Sequence, residues 1–96
     1  MFQISMNFHR ELDTESIKQA FNKSIDWIHY MPNCWFVLTT SAAERWYERL
    51  FPLLGDTDTL VITEVDPANI TCWIQNWVID WLHKSQERIE KSRQPS

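Results

Sequence analysis

The chain opens on an alternation. Phe2, Ile4, Met6 and Phe8 face one way, and Gln3, Ser5 and Asn7 face the other. Period two predicts a half-buried strand over residues 1–8. A polar connection, residues 9–12, follows. Asp13 or Thr14 can then cap a helix, because a side-chain oxygen there accepts an amide hydrogen left free in the first turn. Glu15 suits the positive end of the helix dipole. Ile17, Ala20, Phe21 and Ser24 recur at helical spacing, and Ile28 continues it.

Two β-prone aromatic runs come next. Trp27 to Met31 and Cys34 to Thr40 flank Pro32-Asn33, which predicts a hairpin. The second run is apolar on both faces, with Trp35 and Val37 on one and Cys34, Phe36 and Leu38 on the other. A strand of this kind is central, or is covered on its second side. Ser41-Ala-Ala-Glu44 reads as a capping box. Trp46, Leu50 and Leu53 or Leu54 form a helical stripe behind it. Pro52 ends or kinks that helix, since it lacks an amide hydrogen and clashes with the preceding turn. Gly55 is the one glycine in the chain and stands where a left-handed cap is wanted. Asp56 to Asp58 is a turn, Thr59 to Val65 a strand, and Asp66-Pro67 its stop. Asn69 or Thr71 then caps a last helix that starts near residue 71. Trp73, Ile74, Trp77, Val78, Trp81 and Leu82 fall on one wide face of it, which reads as core packing against a sheet.

The predicted order is strand, helix, strand, strand, helix, strand, helix. The first six elements match the split β-α-β-β-α-β unit, the ferredoxin-like α+β fold, here with an added Trp-rich C-terminal helix. That fold leaves one sheet face open. The apolar second face of the third strand implies a cover, either the last helix or a second copy of the chain. A homodimer would also relieve the marginal stability of so small a domain.

Composition narrows the class. With 96 residues, one domain is expected over residues 1–83, followed by a polar tail over 84–96. Hydrophobic residues make up 44% of the chain, too many for a disordered one. No apolar run is long enough to span a membrane and no signal peptide is evident, so a cytoplasmic location is expected. The formal charge of −4 disfavours a non-specific nucleic-acid binder, which is usually basic. The charge is unevenly placed. Residues 1–83 carry five basic and eleven acidic side chains, whereas 84–96 carry four basic and two acidic. Lys84, Arg88, Lys91 and Arg93 are therefore the candidates for touching nucleic acid or an acidic partner. A solvated helix end is the simpler reading of the same stretch.

Little of the chain points to chemistry. Cys34 and Cys72 read as free thiols, with too few ligands nearby for zinc. His9, His29 and His83 form no ligand motif. A single glycine precludes a Gly-rich phosphate loop. Asp56, Asp58 and Asp66 border the last strand; such carboxylates can bind a metal, but turns and strand ends are rich in them anyway.

Several features together resemble the small bacterial proteins labelled SinR-like. They are Trp27-Ile-His-Tyr with Trp35 in the next strand, Ser41-Ala-Ala, the Pro-Leu-Leu-Gly55 helix end, Asp58 before Leu-Val-Ile, and a Trp-rich helix ending in Asp80-Trp-Leu. These proteins look like relatives of the non-integrase, ferredoxin-like subunit of the CRISPR spacer-acquisition complex and of VapD-type toxins. The resemblance spans most of residues 1–83. It implies a homodimer whose first strands end in Tyr-Asp, the facing aspartates holding a divalent metal for phosphodiester hydrolysis. The matching positions here are Met6 and Asn7. Asn7 is neutral and brings no negative charge to a hard cation such as magnesium.

The expected function is therefore a non-catalytic protein-interaction module, a homodimer in a phage-defence, anti-defence or mobile-element setting, with no cofactor. Tyr30, Trp46, Tyr47 and Trp77 are the candidate contact residues wherever they prove exposed, since interfaces favour aromatic rings. The alternatives are a magnesium-dependent nuclease or toxin and a structural nucleic-acid adaptor.

Overall fold

The computed structural model describes residues 1–9 and 13–93. Strand β1 covers Phe2–Asn7, helix α1 Thr14–Phe21, β2 Asp26–Met31, β3 Cys34–Leu38, helix α2 Ala43–Leu50, β4 Thr59–Glu64 and helix α3 Asn76–Arg93. Single 3-10 turns at Phe51–Leu53 and Pro67–Asn69 precede β4 and α3. The strands form one antiparallel sheet in the order β2-β3-β1-β4. The chain divides into two units, Met1–Glu64 and Val65–Ser96.

The first unit holds the sheet, α1 and α2. Ile4 and Met6 of β1 and Trp35 and Val37 of β3 meet Ile17, Ala20 and Phe21 of α1 and Trp46 and Leu50 of α2 in one core. Phe2, Phe8, Trp27, Leu60 and Ile62 pack around it. The alternation read in β1 and β3 thus selects the face that the helices cover. At the centre is an aromatic cluster: the Phe21 ring lies 5.4 Å from Trp27, 5.5 Å from Trp35 and 5.9 Å from Trp46. Such ring pairs add to the area they bury. The indole N–H of Trp46 would be costly to leave unpaired, and it donates to Thr39 Oγ1 at 3.1 Å.

Local chemistry sets the element ends. Asp13 caps α1, with its carboxylate accepting from the Ser16 amide at 3.2 Å and from the Ser16 hydroxyl at 2.7 Å. These bonds, the hydroxyl first, hold the Asp13 carboxyl below the usual carboxylate range. The helix stops at Phe21, short of the extension to Ser24 and Ile28. The Ser24 hydroxyl donates to the Phe21 carbonyl at 2.6 Å, and the Ile25 amide already bonds to Leu38 of the sheet at 2.9 Å. Ile28 belongs to β2. The hairpin turns at Pro32-Asn33 as expected.

Other expectations are corrected. Ser41 does not cap α2: the N-cap is Ala42, without a side-chain bond, and the Ser41 amide donates to Thr39 Oγ1 at 3.1 Å. Gly55 is not left-handed, as no residue described has positive φ. Its amide donates to Asp58 Oδ2 at 2.7 Å, so a carboxylate, not an unusual backbone angle, closes the turn. In the second unit, α3 starts at Asn76 rather than near 71; it continues to Arg93, so the polar stretch from residue 84 is helical, as in the simpler reading of it as a helix end. Its buried residues are Val78, Leu82 and Ser85, at helical spacing. Trp73 lies outside the helix and is fully exposed, and Trp77 is exposed too, so neither is core. No described helix is long and apolar enough to cross a membrane.

Candidate functional site

Helix α2 has two faces. Trp46 and Leu50, four apart, point into the core and are fully buried. Tyr47 and Phe51, also four apart, lie off that stripe and are 52% and 57% exposed. Their rings stack on each other with centroids 5.5 Å apart. The helix lies along β4, and between them runs a groove of about 540 Å³ lined by Ala43, Glu44, Tyr47, Glu48, Leu60 and Ile62. Leu60 and Ile62 form its apolar side because the β4 residues facing the helices alternate with exposed Thr59, Val61 and Thr63. Glu44 and Glu48 are its carboxylates. Glu48 also takes a 3.2 Å ion pair from Arg45, solvent-exposed on both sides. On the inner side, the Arg49 guanidinium lies 4.9 Å from the Trp46 ring centroid.

The structure separates the four aromatic candidates. Tyr47 lines the groove, and Trp77 is exposed at the start of α3 in the other unit. Trp46 and Tyr30 are corrections, since both are buried inside the chain and present no ring to a partner. Tyr30 stacks on Phe36 at 4.2 Å, and its hydroxyl accepts from Gln3 Nε2 at 2.5 Å. Burial, more than its neighbours, pushes the Tyr30 hydroxyl up to about 12. Phe51, Glu44, Glu48, Leu60 and Ile62 were not among the candidates. The spacing of four between Tyr47 and Phe51 was the one signal that could have found them.

The other candidates are scattered. Asn7 is exposed and faces Thr59 across the β1–β4 ladder. Asp58 accepts from the His9 amide at 3.0 Å as well as from Gly55, and Asp66 accepts from the Ala68 amide at 2.9 Å. Both carboxylates therefore shape turns. Among the described residues, no group of three or more His, Cys, Asp or Glu could hold a metal ion. Cys34 is a half-buried free thiol 3.4 Å from Ser5 Oγ, and Cys72 is exposed. The His29 ring stacks on Trp35 at 4.3 Å. Lys84, Arg88 and Lys91 are exposed on α3, and their spacing puts them on one side together with Asp80 and Glu87. That side carries both signs of charge and is not a basic stripe. The side chain of Arg93 lies outside the described residues.

No protein-family model matches this chain, and neither a curated protein nor a solved structure does. The functional reading therefore rests on the geometry of the α2–β4 surface.

Proposed function

We propose that the first unit is a ferredoxin-like domain acting as a non-catalytic protein-interaction module, with the α2–β4 surface as its contact face. The strand order β2-β3-β1-β4, with α1 and α2 sharing one core against the sheet, supports the fold assignment. The stacked, half-exposed Tyr47–Phe51 pair beside the groove carries the functional reading. Two large rings left in water are unfavourable for a lone domain and favourable for one that covers them on binding. The acidic groove favours a protein partner over a phosphate backbone. The nuclease alternative has no comparable support, since Asn7 is neutral and Asp13 uses both carboxylate oxygens on Ser16.

The test is a tagged pull-down from the native host, with and without nuclease, using wild type and a Tyr47→Ser/Phe51→Ser variant. A stoichiometric protein that survives nuclease and is lost with the variant is the expected result. Recovery of nucleic acid alone, or retention by the variant, would overturn the reading.

A further inference from the structure

The two edges of the sheet are built differently. β2 begins at Asp26, is broken by a register shift between His29 and Met31, and runs into Pro32. A charge, an irregularity and a proline are the devices that blunt an edge against further strand pairing. β4 has neither the irregularity nor the proline, and like β2 it carries a charge only at one end. Its sequence, Thr-Leu-Val-Ile-Thr-Glu, is mostly β-branched, and it pairs with β1 in unbroken register from Phe2↔Glu64 to Asn7↔Thr59. Its one charge is the terminal Glu64. Among the described residues its outer edge has no strand partner, and Val61 is 58% exposed.

We infer that β4 accepts an extended protein segment as a fifth strand, and that this segment is apolar at alternate positions and carries lysine or arginine at its flanks. The inference rests on the interaction-module reading and names the kind of partner. An added strand would hydrogen-bond to the outward backbone groups of β4. Every second side chain would then fall on the helix face, beside Leu60 and Ile62 and in the groove under Tyr47. The alternate side chains would lie next to Thr59, Val61 and Thr63. The groove offers Glu44 to a cation at the end of the segment, and Glu48 where the cation competes with its exposed ion pair to Arg45. Residues 1–64 carry nine acidic and five basic side chains, so the wider field has the same sign.

Charge also selects against the obvious competitor, a second copy of the chain. Antiparallel self-pairing of β4 about Val61 would match Leu60 with Ile62 and Thr59 with Thr63. It would also bring together the Glu44 carboxylates and the Glu48–Arg45 pairs of both copies, between two acidic units, and the net like charge there opposes association.

The experiment uses the full chain, isotope-labelled for amide NMR. The probe is the synthetic peptide Lys-Val-Thr-Val-Thr-Val-Lys, and the control is the same peptide with both lysines replaced by glutamate. The expected result is shifts concentrated at residues 43–48 and 59–64. The lysine peptide should bind about fivefold tighter, the size of two exposed charge pairs. Glu44→Gln/Glu48→Gln should remove that preference while leaving the spectrum folded. Absence of localised shifts at millimolar peptide, or equal binding of the glutamate peptide, overturns the proposal. So does a reversible dimer in sedimentation equilibrium that Val61→Lys dissociates, which would make the occupant a second copy. A partner captured through Tyr47 and Phe51 without any response at β4 would sink this inference and leave the interaction-module reading standing.

Discussion

Trp46 and Tyr47 are neighbours in one helix with opposite surroundings. The Trp46 ring is wholly enclosed, stacked near Phe21, with its N–H satisfied by Thr39. The Tyr47 ring leans on Phe51 and lines an open groove. One residue of helix is a rotation of about 100°. That step carries an aromatic side chain from the centre of the core to the surface. Composition treats the two as equivalent, whereas the packing makes one structural and leaves the other available to a partner.

The largest effect that would break this contrast is on the inner face. Trp46→Ala should cost about 3–5 kcal/mol, as for a large ring removed from a packed core. Urea denaturation measures it, and a loss under 1 kcal/mol would mean that the inner face is not the core.

The next effect also concerns a buried ring. Tyr30 holds its proton up to about pH 12 in the folded chain, against an ordinary value of 10.0. Its folded value is the raised one, so the contribution is fully present below the unfolded value and is lost as pH rises from 10.0 toward 12. Stability should fall across that alkaline window, and Tyr30→Phe should flatten this branch of the curve. An unchanged alkaline slope in the variant would count against an enclosed hydroxyl.

A smaller effect is expected at the cap of α1. The Asp13 carboxyl is held low by Ser16, so its contribution is present above the ordinary carboxylate range and fades as pH falls through its lowered value. Asp13→Ala should lower the melting temperature slightly at neutral pH and narrow the gap to wild type in acid. Circular dichroism melts at the two pH values check the sign.

The smallest stability effect belongs to the outer face and sharpens the contrast most. Tyr47→Ser/Phe51→Ser should stay within about 0.5 kcal/mol of wild type, as surface changes usually do. The same variant should lose the partner in the pull-down. If its denaturation midpoint falls as far as that of Trp46→Ala, the two faces are not distinct.

Legibility followed the range of the forces involved. The β1 alternation, the Asp13 cap and the Pro32-Asn33 hairpin were readable because each is set by residues a few positions apart. Both faces of β3 were readable for the same reason. The ends of α2 and α3 were not. Ser41 had the right side chain for a cap, but its amide was drawn to Thr39, a contact made by the incoming chain. Gly55 stood where a left-handed cap is common, but the Asp58 carboxylate supplied another way to close the turn. The Trp-rich stripe at 73–82 looked continuous, yet the helix starts after Trp73, and its buried line runs through Val78, Leu82 and Ser85. The groove was the least visible feature. It joins residues 43–48 to residues 60 and 62, and no motif links those positions.

By itself, the sequence determined the periods, and with them the kinds and order of most elements. Periods of two and 3.6 arise from covalent geometry and are written into the spacing of apolar residues. Only the tertiary structure decided that β4 lies at an edge, that α2 turns Trp46 inward and Tyr47 outward, and that Glu44 and Glu48 border an apolar groove. Those outcomes depend on which faces meet across long stretches of chain. They are settled by how the large rings of Phe21, Trp27, Trp35 and Trp46 can share one enclosed volume.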